Sequence, residues 1–136
     1  MTALWPLQVA LHERLAGDAG VSALVGQRVF DGLVPTGAAL PYVVTGEGTA
    51  TPYGVLGRAG STDTITLHVW SAYCGSREVL AIVDAIDAAL RLPLVIDGHL
   101  SARLRQDFAT VLVDTTGDTT LRHAPVRYRI ITSEAP

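Results

Sequence analysis

Residues 63–73 read DTITLHVWSAY, and this stretch has the clearest strand pattern in the chain. Its apolar side chains Ile65, Leu67 and Val69 point to one side of an extended chain. The threonines, the histidine and Trp70 point to the other side. A period of two is typical of a strand with one face on a hydrophobic core, and β-branched residues favour it. The stretch therefore predicts a long strand that supplies one face of the core.

The segment from Gly75 to Arg91 follows at once and has the period of an α-helix. Ser76 is predicted to cap this helix, and Glu78 suits the positive end of the helix dipole. Pro93 marks the end of the helix. A strand that leads into a helix packing back on the sheet predicts a two-layer fold. The apolar stripe of the helix contains Val79, Ile82, Val83, Ile86 and Leu90.

The rest of the chain is predicted to add two short helices and further strands. Leucines at helical spacing predict a first helix that Gly17 ends, and Asp18 caps a second helix that Gly26 closes. We expect an α+β fold with a mostly antiparallel sheet of about 4–5 strands, a long helix at about residues 76–91 and the N-terminal helix pair packed on it. Residues 52–61 are predicted to form a long mobile hairpin loop. Other strands are predicted near residues 28–30, 42–51, 94–96, 101–113 and 122–132.

Length and composition predict one compact domain spanning residues 1–136. A hydrophobic content of 49% with 17% charged residues is not typical of disorder. The formal net charge of −3 gives no broad attraction to nucleic acid. The single cysteine, Cys74, cannot form an internal disulfide, which favours a reducing compartment. The sequence lacks a long apolar run and a basic, apolar start. We therefore expect that the protein does not associate with a membrane and that it is assembled in the cytoplasm.

One motif resembles a catalytic signature. The sequence VLVDTTG at residues 111–117 is similar to the apolar-apolar-Asp-Thr-Gly signature of retroviral-type aspartic proteases. An extra threonine separates Asp114 from Gly117, which removes the turn that aims the carboxylate. A polar hairpin turn is therefore favoured over a dimeric aspartic protease.

Neither a nucleotide loop nor a metal site is indicated. Gly46 and Gly48 are not followed by a helix that presents its N-terminus to a phosphate, so they predict a flexible hairpin. No pair of histidines has the short spacing of metal ligands, and Cys74 has no CxxC partner. We expect structural roles for Cys74 and for all four histidines, with no cofactor and no metal. The histidines are His12, His68, His99 and His123.

Several arginines are predicted to lie on adjacent strands. They predict a solvated sheet face or a salt-bridged subunit interface that meets acids such as Asp84, Asp87 and Asp107. The alternative is a phosphate-facing strip of a nucleic-acid-binding module, whose affinity would fall steeply with salt. The arginines are Arg103, Arg105, Arg122, Arg127 and Arg129.

The order of elements and several local motifs resemble one protein family over most of the chain. They resemble the tail-completion, or tail-terminator, proteins of long-tailed bacteriophages and phage-like gene transfer particles. The helix after Ser76 and Pro35 in the first loop fit the same pattern. The motifs are LHERLAGD at residues 11–18, VSALVGQRVF at 21–30, LPYVV at 40–44 and YRII at 128–131.

The resemblance implies a structural virion protein without catalytic residues. Such proteins form a hexameric ring on the head-proximal end of the tail tube and end tube polymerisation. The ring offers a docking surface to the head-completion, or stopper, protein, and DNA passes through its lumen without specific binding. Another neck or stopper protein of the head–tail junction stays open as an alternative, as does a small enzyme that uses Asp114. The expected interface residues are Tyr53, Val55, Leu56, Arg58, Arg103, Arg105, Arg127 and Arg129.

Overall fold

A computed structural model of the chain describes residues 3–55 and 58–136, apart from the side chains of residues 53–55, 58 and 116. The described residues form three helices and six strands, which confirms the α+β fold class. In chain order they are α1 (Leu4–Ala16), α2 (Ala19–Val25), β1 (Val29–Asp31), β2 (Tyr42–Val55), β3 (Arg58–Ser71), α3 (Arg77–Ala89), β4 (Arg105–Ala109), β5 (Leu112–Thr116) and β6 (Thr119–Ser133).

The six strands form one sheet in the order β1-β2-β3-β6-β4, and β5 also pairs with β6. The short strand β1 runs parallel to β2, and all other pairs are antiparallel. The centre of the sheet is the long β3–β6 pair, in which Ile65 lies opposite Tyr128. The prediction of a mostly antiparallel sheet is confirmed, and the sheet has one strand more than we expected.

The prediction of a mobile loop at residues 52–61 is wrong for the described part of that segment. β2 and β3 stay paired there, with Pro52 opposite Ser61 and Val55 opposite Arg58. A continuous antiparallel ladder supplies backbone partners at each step, and this outweighs the turn preference of single proline and glycine residues. Leu56 and Gly57 lie outside the described residues.

The single strand predicted at residues 101–113 is divided in the structure. It is replaced by β4 and β5, and a register shift between Gln106 and Phe108 marks an irregularity in β4. The strand predicted at residues 94–96 is reduced to one bridge between Leu94 and Ala102. The turn before β6 contains Gly117 at a φ of 61°, a conformation that glycine adopts without strain.

The helices lie where the sequence predicted them, although one cap differs. Asp18 caps α2 as expected, since its Oδ2 accepts a hydrogen bond from the backbone N–H of Val21 at 3.0 Å. Ser76 occupies the N-cap position of α3 but makes no capping hydrogen bond. Glu78 in the first turn instead accepts a hydrogen bond from Ser71 Oγ at 2.7 Å. Among the described residues, no helix is long and apolar enough to span a membrane.

The core lies between the helices and one face of the sheet, which gives two layers. The inward residues of β3 and β6 are the alternating apolar ones, and the leucine stripe of α1 and the apolar stripe of α3 pack on them. Among the described residues, no helix packs on the opposite face of the sheet. The fully buried large residues include Leu7, Leu11, Leu15, Ile65, Leu67, Ile82, Ile86, Tyr128 and Ile130.

Candidate interaction surfaces

The open face of the sheet carries an ordered stack of three aromatic rings. Trp70 and His123 lie directly opposite each other on β3 and β6, with ring centroids 4.0 Å apart and ring planes 1° from parallel. His68 stacks on His123 at 4.9 Å and 28°. All three residues have the outward parity of their strands, so backbone register brings the rings together.

Hydrogen bonds fix the two imidazoles of this stack. His68 Nδ1 and His123 Nε2 are 2.7 Å apart, so one ring donates to the other. His68 Nε2 donates to Glu47 Oε1, also at 2.7 Å. The sequence reasoning missed this pair, because the two histidines are 55 residues apart in the chain. The alternation of each strand indicates that both histidines face outward. It does not show that they are neighbours, because that depends on the register between β3 and β6.

The contacts of the stack shift the pKa of His123 and of the Glu47 carboxylate that bonds His68. The hydrogen bond from His68 is the largest cause that lowers the pKa of Glu47 below its usual range. Partial burial, followed by the electrostatic effect of the neighbouring His68, lowers the pKa of His123. Both groups therefore resist protonation in the folded protein more than in the unfolded chain.

The two glycines that suggested a flexible hairpin lie inside β2 instead. A Cβ atom on Gly46 would lie 2.5 Å from the His68 ring, so glycine makes room for that ring. A Cβ atom on Gly48 would lie 3.2 Å from the side chain of Leu4, where α1 packs on β2. Close approach, and not flexibility, explains both glycines.

A cationic surface lies at the β4 edge of the open face. Arg127 and Arg129 both donate to Asp107 Oδ2, at 3.3 and 3.2 Å, and Arg105 lies directly opposite Arg129. The Arg127 guanidinium also lies 5.2 Å from the centroid of the Phe108 ring, a cation–π contact. We call these five residues the arginine strip. It carries three guanidinium groups and one carboxylate, and two of the guanidinium groups bond that carboxylate.

The structure brings together only part of the predicted arginine cluster. Arg122 is separate, and its guanidinium donates to the backbone oxygen of Cys74 at 3.0 Å. Arg103 is exposed but precedes β4. Of the predicted acidic partners, Asp107 contacts the arginines, whereas Asp87 accepts a hydrogen bond from the Tyr128 hydroxyl at 3.3 Å. Desolvation is the main cause that raises the pKa of this tyrosine.

A second exposed surface lies on the outer side of α1. Trp5, Val9 and Glu13 follow one another at intervals of four residues and so form one ridge. Trp5 is 67% exposed and Val9 is 37% exposed. We call these three residues the helix ridge. The ridge was not predicted from the sequence. Its residues lie two positions before Leu7, Leu11 and Leu15, which places them on the opposite side of the helix from the buried leucines.

Grooves with acidic residues flank the helix ridge on both sides. The larger groove has a volume of about 970 Å³ and lies between the ridge and the segments containing Asp97 and Glu134. The smaller groove, of about 290 Å³, contains Asp31 at the end of β1. The surface around α1 thus combines a large exposed aromatic ring with several carboxylates.

The remaining predicted residues do not gather into a chemical site. The side chains of Tyr53, Val55, Leu56 and Arg58 lie outside the described residues. Asp114 lies within β5 opposite Leu121 instead of in the predicted hairpin turn. Among the described residues, no group of three or more His, Cys, Asp or Glu side chains is placed to hold a metal ion. What the described surface offers is contact area with a charge pattern.

The chain is similar to known proteins both in family and in fold. The family model described as "Tail completion protein gp17" matches residues 9–133. No curated protein sequence matches the chain. A chain in the virion of a native gene transfer agent particle has a similar fold, with a TM-score of 0.77, 23% identity, and coverage of 93% of this chain and 94% of that chain. The gp17 protein of bacteriophage SPP1 has a TM-score of 0.57 and 26% identity, with 91% and 88% covered.

Proposed function

Because the chain belongs to the tail completion protein gp17 family and is a structural protein of a phage-type virion tail, we propose that it forms a hexameric ring on the head-proximal end of the tail tube. The ring ends tube polymerisation and presents the docking surface for the head-completion protein. The family match over residues 9–133 carries this proposal, since it spans nearly the whole described fold.

The surfaces of the protein support a ring assembled head to tail. A ring of identical copies needs two different surfaces on each copy, one complementary to the other. The arginine strip and the helix ridge are two such surfaces on one chain, and they differ in charge and shape. Binding surfaces are all that the proposed role requires, so we assign the chain no catalytic step.

The net charge supports a lumen through which DNA slides. At a formal net charge of −3, the protein as a whole repels phosphate. A channel lined by uncompensated cations would bind the DNA backbone and hold it. We therefore propose that DNA passes through the ring without specific binding, and that the arginine strip meets protein instead.

Electron microscopy of the tagged protein mixed with tubes of the cognate tail-tube subunit tests the proposal. We expect label at one end of each tube and no further growth of labelled tubes after tube subunit is added. Tubes without the protein, in the same preparation, are expected to keep growing. Label along the tube wall, or unlabelled tubes at a protein concentration where circular dichroism shows a folded chain, would contradict the proposal and favour another head–tail junction protein.

A further inference from the structure

We propose that the arginine strip of one copy binds the helix ridge of the next copy, and that this contact is the subunit interface of the ring. This inference rests on the proposed ring, and it identifies the partner of each surface as a second copy of this chain. It is carried by the charge of the two surfaces, by their exposed apolar groups and by their places in the fold.

Charge complementarity is the first argument. In the arginine strip, Arg105 lies directly across from Arg129, and like charges in this position destabilise a strand pair. The single carboxylate of Asp107 serves two of the three guanidinium groups. The strip is therefore stabilised by any further carboxylate that approaches it. The helix ridge offers Glu13, with Asp31 and Asp97 in the grooves beside it.

Exposed apolar groups on both surfaces are the second argument. Phe108 in the strip is 45% exposed, and Ile131 on the neighbouring outward position of β6 is 62% exposed. They match Trp5 and Val9 of the ridge, and removal of these groups from water favours association. Tryptophan and arginine are the residue types that most often dominate binding energy, and a guanidinium also stacks on an indole ring.

The positions of the two surfaces are the third argument. α1 packs beside β1 and β2, whereas β4 is at the other end of the strand order. The ridge lies on the helical side of the sheet, and the strip lies on the open side. Surfaces at opposite ends of a subunit join copies head to tail, and this arrangement forms a ring when the rotation between successive copies closes.

A charge-exchange experiment tests the pairing. Arg105→Glu and Glu13→Arg are each expected to lower the fraction of capped tubes about tenfold or more at a fixed protein concentration, because close charge pairs at interfaces are coupled to this extent. The double variant is expected to restore capping, since it reverses the pair without removing it. The readout is the same electron microscopy of tube ends, with circular dichroism and urea unfolding on each variant.

Matched controls reverse two exposed charges that belong to neither surface, Arg77 at the start of α3 and Asp118 in the turn between β5 and β6. Arg77→Glu and Asp118→Arg make the same two charge changes and are expected to leave capping unchanged. If one of the two test variants loses fold stability, the neutral pair Arg105→Gln and Glu13→Gln gives the same comparison. If the two residues bind each other, each neutral variant alone is expected to weaken capping, and the double variant is expected to show no further loss.

The possible outcomes separate this inference from the proposed function. Single variants that cap tubes as well as the wild type would overturn the interface and leave the ring proposal standing. Loss of capping without rescue in the double variant would also overturn the pairing. Unchanged capping together with loss of DNA binding at low salt in Arg105→Glu would assign the strip to phosphate instead. Failure of the wild type to cap tubes would contradict the proposed function itself.

Discussion

The two faces of the central sheet are built from the same strands but differ in almost every physical respect. The covered face of β3 and β6 is apolar along most of its length and packs against α1 and α3. The open face carries the stack of Trp70, His68 and His123 and the arginine strip. Because successive side chains of a strand point to opposite faces of the sheet, the same strand sequence supplies residues to both faces.

This difference indicates that the covered face stabilises the fold and that the open face tolerates substitution. Burial of apolar area stabilises the fold and tolerates little loss of volume. Exposed ion pairs contribute little to the free energy of unfolding, so substitutions in the arginine strip can change binding with little effect on the fold.

Matched isoleucine substitutions test the contrast most directly. Ile86→Ala on α3 is expected to lower the free energy of unfolding by about 2–5 kcal/mol, because it leaves a cavity in a fully buried site. Ile131→Ala on the open face is expected to lower it by less than about 0.5 kcal/mol, because the side chain is mostly exposed. Urea unfolding followed by circular dichroism measures both. Equal effects would show that the open face is covered in solution.

A buried polar cluster interrupts the covered face and provides the second test. Asp63 is fully buried, and its Oδ1 accepts a hydrogen bond from Ser61 Oγ at 2.7 Å. Thr132 on β6 donates to the other oxygen of the carboxylate at 3.4 Å. Asp63→Ala is expected to lower the free energy of unfolding by about 1–3 kcal/mol, because it leaves buried hydroxyls without their acceptor.

The control for this second test is an exposed aspartate. Asp84→Ala on the outer side of α3 is expected to change the free energy of unfolding by less than about 0.5 kcal/mol. The same urea titration compares the two variants. A small effect at Asp63 would mean that the hydroxyls of its neighbours find other acceptors once the carboxylate is absent.

The smallest expected effect is the pH dependence of the open face. The pKa of His123 is lowered from its ordinary 6.5, so the unfolded chain binds its proton more readily than the folded protein. Stability is therefore fully present above about pH 6.5 and falls as the pH drops towards the lower folded pKa. Glu47, whose pKa is also lowered, adds a further loss below its ordinary 4.5.

Variants at this stack isolate the contribution of His123. As the pH falls below 6.5, the free energy of unfolding of the wild type is expected to fall more than that of His123→Gln. The difference is expected to be less than about 1 kcal/mol, because solvent screens a partly exposed ring. His68, Glu47 and Asp114 are the charged or titratable groups that act on the ring. Titration of the His123 ring protons by NMR measures the pKa directly. A midpoint at or above the ordinary value would contradict the interpretation.

Much of the covered face was predictable from the sequence, because local periodicity alone determines it. The alternation of Ile65, Leu67 and Val69 predicts an inward strand face, and the stripe through Ile82 and Ile86 predicts the inward side of α3. Both predictions are confirmed. These residues need no information about their partners, since any covering layer buries them in the same way.

The interaction surfaces were less predictable, because each depends on pairs that are distant in sequence. The arginines were recognised as a cluster, and Asp107 as a partner, from their positions on neighbouring predicted strands. Which arginines join the strip depends on the register shift in β4, and Arg122 is directed elsewhere. The helix ridge was missed, because an exposed tryptophan is visible only once the covering layers are known.

Local sequence patterns were sufficient to predict the α+β class, the three helices and the inward face of the central strands. These features follow from periods of two and 3.6 residues, which are local properties of the chain. The folded chain was needed to show that β2 and β3 pair over residues 52–55 and 58–61, that His68 bonds His123, and that Arg105 faces Arg129. Strand register sets these contacts, and register is a property of two segments brought together by packing of the whole chain.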